Sequence, residues 1–264
     1  MTGYALTVSE VEVRRYRFMA ERAMAEEAEA WHRAGIGPGA VVADVGCGPA
    51  AVSVVIAELV GPEGRVIGIE PDHSARTVAR QLITEAGVGN VELRPGSAIQ
   101  TGIPPGSVDV VMLRHVLAHN GRDEQPIVDH LASLVRPGGS VYLVDADGTA
   151  VRTLDDDPEL EDLPGRYAEL HRRRGNDLRT GLRLGQLLTR AGLNVMLHEG
   201  RYAITPALPG LRPPAWAARD AMVAQGIASA EDVRRWDAAF ARMDAAPIRP
   251  TFFVPTFIAV GTSR

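Results

Sequence analysis

The residue types best suited to chemistry cluster at the ends of short apolar runs. Asp44, Gly46, Cys47 and Gly48 follow Val41-Val42-Ala43. Two glycines so spaced permit positive φ and let backbone N–H groups approach a ligand closely. Glu70 and Pro71 close the run RVIGI, where a carboxylate can accept from both hydroxyls of a ribose or simply cap the next helix. Arg114 ends VDVVML; an arginine buried there needs an anion, from a ligand or a substrate, unless it forms a surface ion pair. His115 and His119 are four apart and share a face if the segment is helical. They fit a general base titrating near neutrality, a metal pair or a structural role. H-V-L-A-H lacks the glutamate of H-E-x-x-H and offers no third ligand, so no metal site is expected. Asp145 and Asp147 flank one face of a strand end and can hold a substrate amine or hydroxyl, or merely solvate the end.

Alternating elements must position these groups. Strands are predicted at 41–43, 65–70, 91–94, 108–113, 140–144, 194–204 and 251–260, with helices between most of them. An amphipathic segment at 9–34 precedes the first strand. The pattern predicts an α/β fold with a doubly wound, Rossmann-like, seven-stranded and mostly parallel sheet. The last strand is expected antiparallel, and Pro255 inside it suggests a bulge or an edge. Ser229 with Asp232 reads as a capping box opening a helix at 231–243. We read one domain over 1–264, with an N-terminal helical cover (1–35), a core (36–205 and 251–264) and a helical lid insertion (206–250). Trp216, Met222, Trp236, Phe240 and Met243 give that lid an apolar inventory. The run His171 to Arg174 reads as a solvated helix face.

Composition narrows the class. The chain has 264 residues, 45% of them hydrophobic, and a net charge of −5. That balance argues against a nucleic-acid partner. No apolar run is long enough to span a membrane, and the charged N-terminus does not read as a signal peptide. The single cysteine, Cys47, excludes an internal disulfide and fits a cytoplasmic protein; it reads as a small packed residue rather than a nucleophile.

The string D-V-G-C-G-P, with VIGIEPD, PPGSVDVVMLRHVLAH and LVRPGGSVYLVDAD, resembles the class I S-adenosyl-L-methionine (SAM) methyltransferase family in its small-molecule branch. Ala50 stands where that family usually has a third glycine. The resemblance implies SAM as cofactor, Asp44 to Gly48 at its binding turn, and Glu70 with Pro71 at its ribose. It places Ser97, where relatives often have aspartate, and Ala98 beside the adenine; with SAM bound, its carboxylate is one candidate anion for Arg114 and a substrate anion is another. Tyr4 and Arg15 lie in a segment resembling a Y…E-x-x-R pattern that folds over SAM in relatives. His115 and His119 are the candidate catalytic residues. The implied partner is a small-molecule methyl acceptor, such as a secondary metabolite or quinone-like compound, with O-methylation as the leading reaction and a homodimer left open. A looser fit to G-x-G-x-x-G/A keeps a nicotinamide-dependent oxidoreductase as the alternative, beside a SAM-binding protein without catalysis.

Overall fold

The computed structural model describes residues 10–154 and 157–264. Five parallel strands form the centre, in the order β3 (Val91–Arg94), β2 (Arg65–Ile69), β1 (Val41–Val45), β4 (Val108–Arg114), β5 (Val135–Ala146). β4 is nearly all apolar and buried along its length, as a strand covered on both faces must be. β8 (Thr251–Thr262) then pairs antiparallel with β5, and β7 (Asn194–Pro206) runs along the other side of β8. These are the seven expected strands, with the last antiparallel. An eighth, β6 (Arg152–Leu154), pairs with the upper end of β8 and is too short to leave a periodic signal.

Pro255 marks neither an edge nor a bulge. β8 lies between neighbours throughout, and the bulge sits on β7 between Val195 and Leu197. β5 pairs with β8 from Thr256 onward, and β6 only as far as Phe253. Pro255 falls in the gap, where its carbonyl accepts from the Asp147 N–H. A missing amide facing that gap breaks no ladder bond.

Two cores cover the sheet. On one face, α1 (Glu10–Arg33) and α2 (Ala51–Val60) pack Ala23, Ala30, Trp31 and Ile56 against Val42, Met112, Tyr142 and Ile258. On the other, α4 (Glu124–Leu134) and α6 (Leu184–Arg190) pack Ile127, Leu131 and Leu188 against Val111, Leu143 and Ala259. α1 is one unbroken helix. α3 (His73–Ala86) opens on Asp72, whose carboxylate accepts from the Ala75 N–H.

The helical cover is larger than the insertion at 206–250. α5 (Leu163–Arg173) joins α7 (Pro214–Ala217), α8 (Arg219–Ala224) and α9 (Ala230–Ala245) around a third core of Leu163, Leu170, Met222, Trp236, Phe240 and Met243. Four of the five apolar lid residues are therefore interior to the cover, and Trp216 packs on its margin. Asp162 ties it together, accepting from Arg166, Arg235 and the Trp236 indole. The Ser229–Asp232 capping box is present. Arg172 and Arg173 pair with Glu169 on an exposed face, as read from the sequence.

Candidate active site

The strand order reverses between β1 and β4, and in such sheets the crevice for a ligand opens beyond the carboxyl ends at that point. The turn after β1 lies there. Gly46 has φ 70° and Gly48 φ 55°. A Cβ on Gly46 would stand 2.6 Å from a methyl of Val116, so glycine is needed for both conformation and space. Ala50, where relatives have glycine, also has positive φ, at 62°, which costs an L-residue roughly 1–2 kcal/mol.

Glu70, at the end of β2, is 9% exposed. Its Oε2 accepts from the Gly48 N–H at 3.0 Å and its Oε1 from the Asp72 N–H at 2.9 Å. Burial pushes its carboxyl above the usual range. Each oxygen keeps a second lone pair, so the carboxylate can still take ribose hydroxyls while holding the glycine turn. Pro71 is exposed, and its carbonyl accepts from Arg76. Ser97 and Ala98 are half-buried after β3, with Ile99 beyond them 48% exposed, an apolar surface suited to a flat ring.

Asp44 and Cys47 turn inward. Asp44 accepts from the Ser53 hydroxyl on α2 at 2.5 Å, and burial raises its pKa. The Cys47 sulfur packs against Gly68, where a Cβ would lie 3.1 Å away. Burial, then Asp44 and Glu70, push its thiol well up, so it is a packed residue and a poor nucleophile.

Arg114 requires a correction. Its anion is Glu27 of α1, which it meets through both Nε and Nη2, and the Tyr142 hydroxyl donates to the same carboxylate at 2.7 Å. Arg114 is thus neither a surface pair nor waiting for a ligand carboxylate. The sequence carried a signal for this. Glu27 falls in the stripe Ala20, Ala23, Ala30, Trp31 and Ala34, all buried, and a charge on an apolar stripe needs a partner.

The histidine pair is also rearranged. Residues 115–119 are not one helix. His115 has φ 55° and its N–H donates to the Val144 carbonyl; a single turn of 3-10 helix follows at Leu117–His119. Asp145, buried, accepts from the Ala118 and Ala146 N–H groups, so it supports this turn and does not face outward. Asp147 accepts from the Thr149 N–H and hydroxyl. A non-glycine residue held at positive φ beside a ligand crevice is a common mark of a functional position. Among the described residues no group of three His, Cys, Asp or Glu side chains could hold a metal ion.

α1 and α5 close over the crevice. Tyr16 lies about 4 Å from where a Gly48 Cβ would be. Arg15, 8% exposed, stacks 4.8 Å from the Tyr16 ring centroid. Tyr4 lies outside the described residues. His119 meets His171 of α5 with ring centroids 4.9 Å apart. Burial first, then Arg114 and Arg15, lower His115 to about 3; burial, then Arg15 and Arg174, lower His119 to about 4. Both are neutral, weak bases at neutral pH.

This has a pH consequence. The unfolded chain protonates these histidines near pH 6.5, the folded chain only near 3–4. Their contribution to stability is complete above 6.5 and lost as pH falls, by up to about 1.4 kcal/mol per pH unit for each. Asp145, raised to about 6, acts in the opposite sense between roughly pH 4 and 6, so the comparison is with the parent protein. His119→Asn should lose less stability than the parent between pH 6.5 and 5 in urea titrations. Parallel losses would show that His119 titrates normally.

A family model for the methyltransferase domain matches residues 42–139, which include every candidate cofactor-site residue above except those on the N-terminal segment. Over that segment the chain resembles a methyltransferase domain, and the glycine turn and Glu70 lie within it. It is similar to the demethylmenaquinone methyltransferase of Listeria monocytogenes serotype 4a, with 36% identity over 107 residues, 40% of this chain and 45% of that protein. The chain thus matches about half the length of that relative. Among solved structures it shares its fold with the YcgJ protein of Bacillus subtilis (TM-score 0.57, 16% identity, 90% of this chain and 97% of that one). It also shares it with a SAM-dependent methyltransferase from Aquifex aeolicus (TM-score 0.52, 13% identity, 92% and 97%). Among the described residues no helix is long and apolar enough to cross a membrane.

Proposed function

We propose that this protein transfers a methyl group from SAM to a small quinone-like or phenolic acceptor, with O-methylation as the leading reaction. The observation that carries the reading is the Glu70 carboxylate bonded to the Gly48 N–H at the switch point of the sheet, inside the segment matched to the methyltransferase domain. The similarity to a demethylmenaquinone methyltransferase supports a quinone-like acceptor.

SAM supplies an electrophilic methyl on a sulfonium. The chain's task is to hold the acceptor in line with that methyl, and positioning of this kind accounts for a large part of such accelerations. Gly46 to Gly48 and Glu70 fix one side; His115, His119 and the closing helices enclose the other. The neutral histidines accept a proton weakly, so they suit an acceptor that is already ionised or easily ionised better than an aliphatic alcohol.

The test is incubation of the purified protein with methyl-labelled SAM and 1,4-naphthoquinol under anaerobic conditions, followed by mass spectrometry. Transfer of one methyl is expected, giving a monoether that does not reoxidise to a quinone. A methylated product that does reoxidise carries the methyl on carbon and would overturn O-methylation. No transfer to this or related quinols and phenols would overturn the acceptor class.

A further inference from the structure

One buried donor in the helical cover has no partner among the described residues. His171, near the end of α5, is 1% exposed. The amide nitrogen of Asn176 lies 3.1 Å from its Nδ1. An amide NH2 only donates, so Nδ1 accepts and the ring proton sits on Nε2. That Nε2–H meets no acceptor among the described residues. A buried donor left unpaired costs about 1–3 kcal/mol, and folded proteins keep few of them.

Its place gives it a use. The ring contacts His119 at 4.9 Å and, edge-on, Tyr167 at 4.4 Å. The loop after α5 presses on the turn after β4, where the Gly175 carbonyl leaves no room for a side chain on Gly121. The His171 ring therefore lies near the turn that follows β4, beside His119. It also belongs to a cover with its own core.

We propose that His171 donates its Nε2–H to an oxygen of the methyl acceptor, so that the acceptor is a flat ring carrying a carbonyl or ionised hydroxyl. This rests on the methyltransferase reading above. A group that can only donate suits a carbonyl or ionised hydroxyl oxygen and rejects a protonated amine, which has no lone pair to accept. The flanking Tyr167 and His119 rings suit an aromatic or quinone plane. A fixed neutral donor in a water-poor site stabilises negative charge on that oxygen, and the cation of Arg15, near enough to act on His119, adds to the effect.

Binding of 1-naphthol, 1,4-naphthoquinone and naphthalene to the full chain saturated with S-adenosylhomocysteine decides the matter. The parent should bind at least one oxygenated ring tenfold or more tighter than naphthalene; which one distinguishes a hydroxyl from a carbonyl ligand. His171→Phe keeps a flat ring without the N–H and should lose the preference. His171→Gln keeps a donor and should retain most of it. Equal binding of the three probes by the parent, no binding of any, or an unchanged preference in H171F overturns the proposal. S-adenosylhomocysteine affinity, measured first on each protein, reports separately on folding and on the methyltransferase reading. If H171F fails that check, 15N NMR of the parent carries the test. An Nε2–H tautomer whose signal shifts on adding the bound ring is expected; an Nδ1–H tautomer or an unmoved signal overturns it.

Discussion

Replacing Glu27 with alanine should cost the folded protein about 3–5 kcal/mol, because it leaves a buried guanidinium without its counter-ion. The Glu27 and Arg114 side chains are 8% and 9% exposed, so solvent cannot replace the lost partner. The Tyr142 hydroxyl loses its acceptor in the same step, and α1 loses its polar link to β4 and β5. The double variant Glu27→Leu/Arg114→Met removes both charges at similar volume and should recover most of the loss. Urea unfolding of the single and double variants checks this. A cost for E27A below about 1 kcal/mol, the range of exposed pairs, would mean that water reaches the guanidinium. A double variant no better than the single one would mean that the pair is not the origin of the loss.

The second large effect falls on the cofactor. Glu70→Ala should weaken SAM binding by about 1–3 kcal/mol, or roughly 5- to 150-fold, since charge-assisted hydrogen bonds to the ribose are lost. The same change frees the Gly48 and Asp72 N–H groups, so the glycine turn also loses its brace. Glu70→Gln keeps the shape but has an NH2 where one acceptor was, and should bind SAM at a level close to alanine. Because burial raises the Glu70 pKa, the ionised form is lost earlier on acidification than for an ordinary glutamate. SAM affinity should therefore fall as pH drops through the region just above the usual carboxylate range, and the alanine variant should lack that component. Calorimetry with both variants over a pH series measures it. Unchanged affinity in E70A would remove Glu70 from the cofactor site.

Much of this was legible because parallel strands leave long apolar runs, and glycine turns leave their own residues. The D-V-G-C-G turn, the carboxylate at the end of β2 and the seven strands follow from those rules. The capping box at Ser229 was equally local. What escaped depends on pairing across distance. Nothing near Arg114 in sequence says that its counter-ion is Glu27, eighty-seven residues earlier. Spacing alone made His115 and His119 a helical pair; the left-handed turn at His115 is set by the Val144 carbonyl and the buried Asp145. Pro255 read as a bulge or an edge because proline restricts pairing; in the fold its missing amide meets only a local gap between β5 and β6. His171 sat within a basic run and was read as solvated, whereas the ring is buried and its three arginine neighbours turn elsewhere.

The placing of α1 has a kinetic meaning. Its second half is fastened to the sheet through Glu27, Ala30 and Trp31, while its first half carries Arg15 and Tyr16 over the Gly48 turn. The second half of the helix is held by buried contacts, whereas the first half is tied to α3 by the exposed pair Arg17–Glu85. Cofactor entry then waits on fraying of two or three turns, an event far cheaper than undocking the helix. Stopped-flow traces of SAM binding should reach a ceiling with rising concentration, set by the rate at which the first half of α1 lifts. Hydrogen exchange should be fast for amides near Tyr16 and slow near Trp31, and binding should slow only the former.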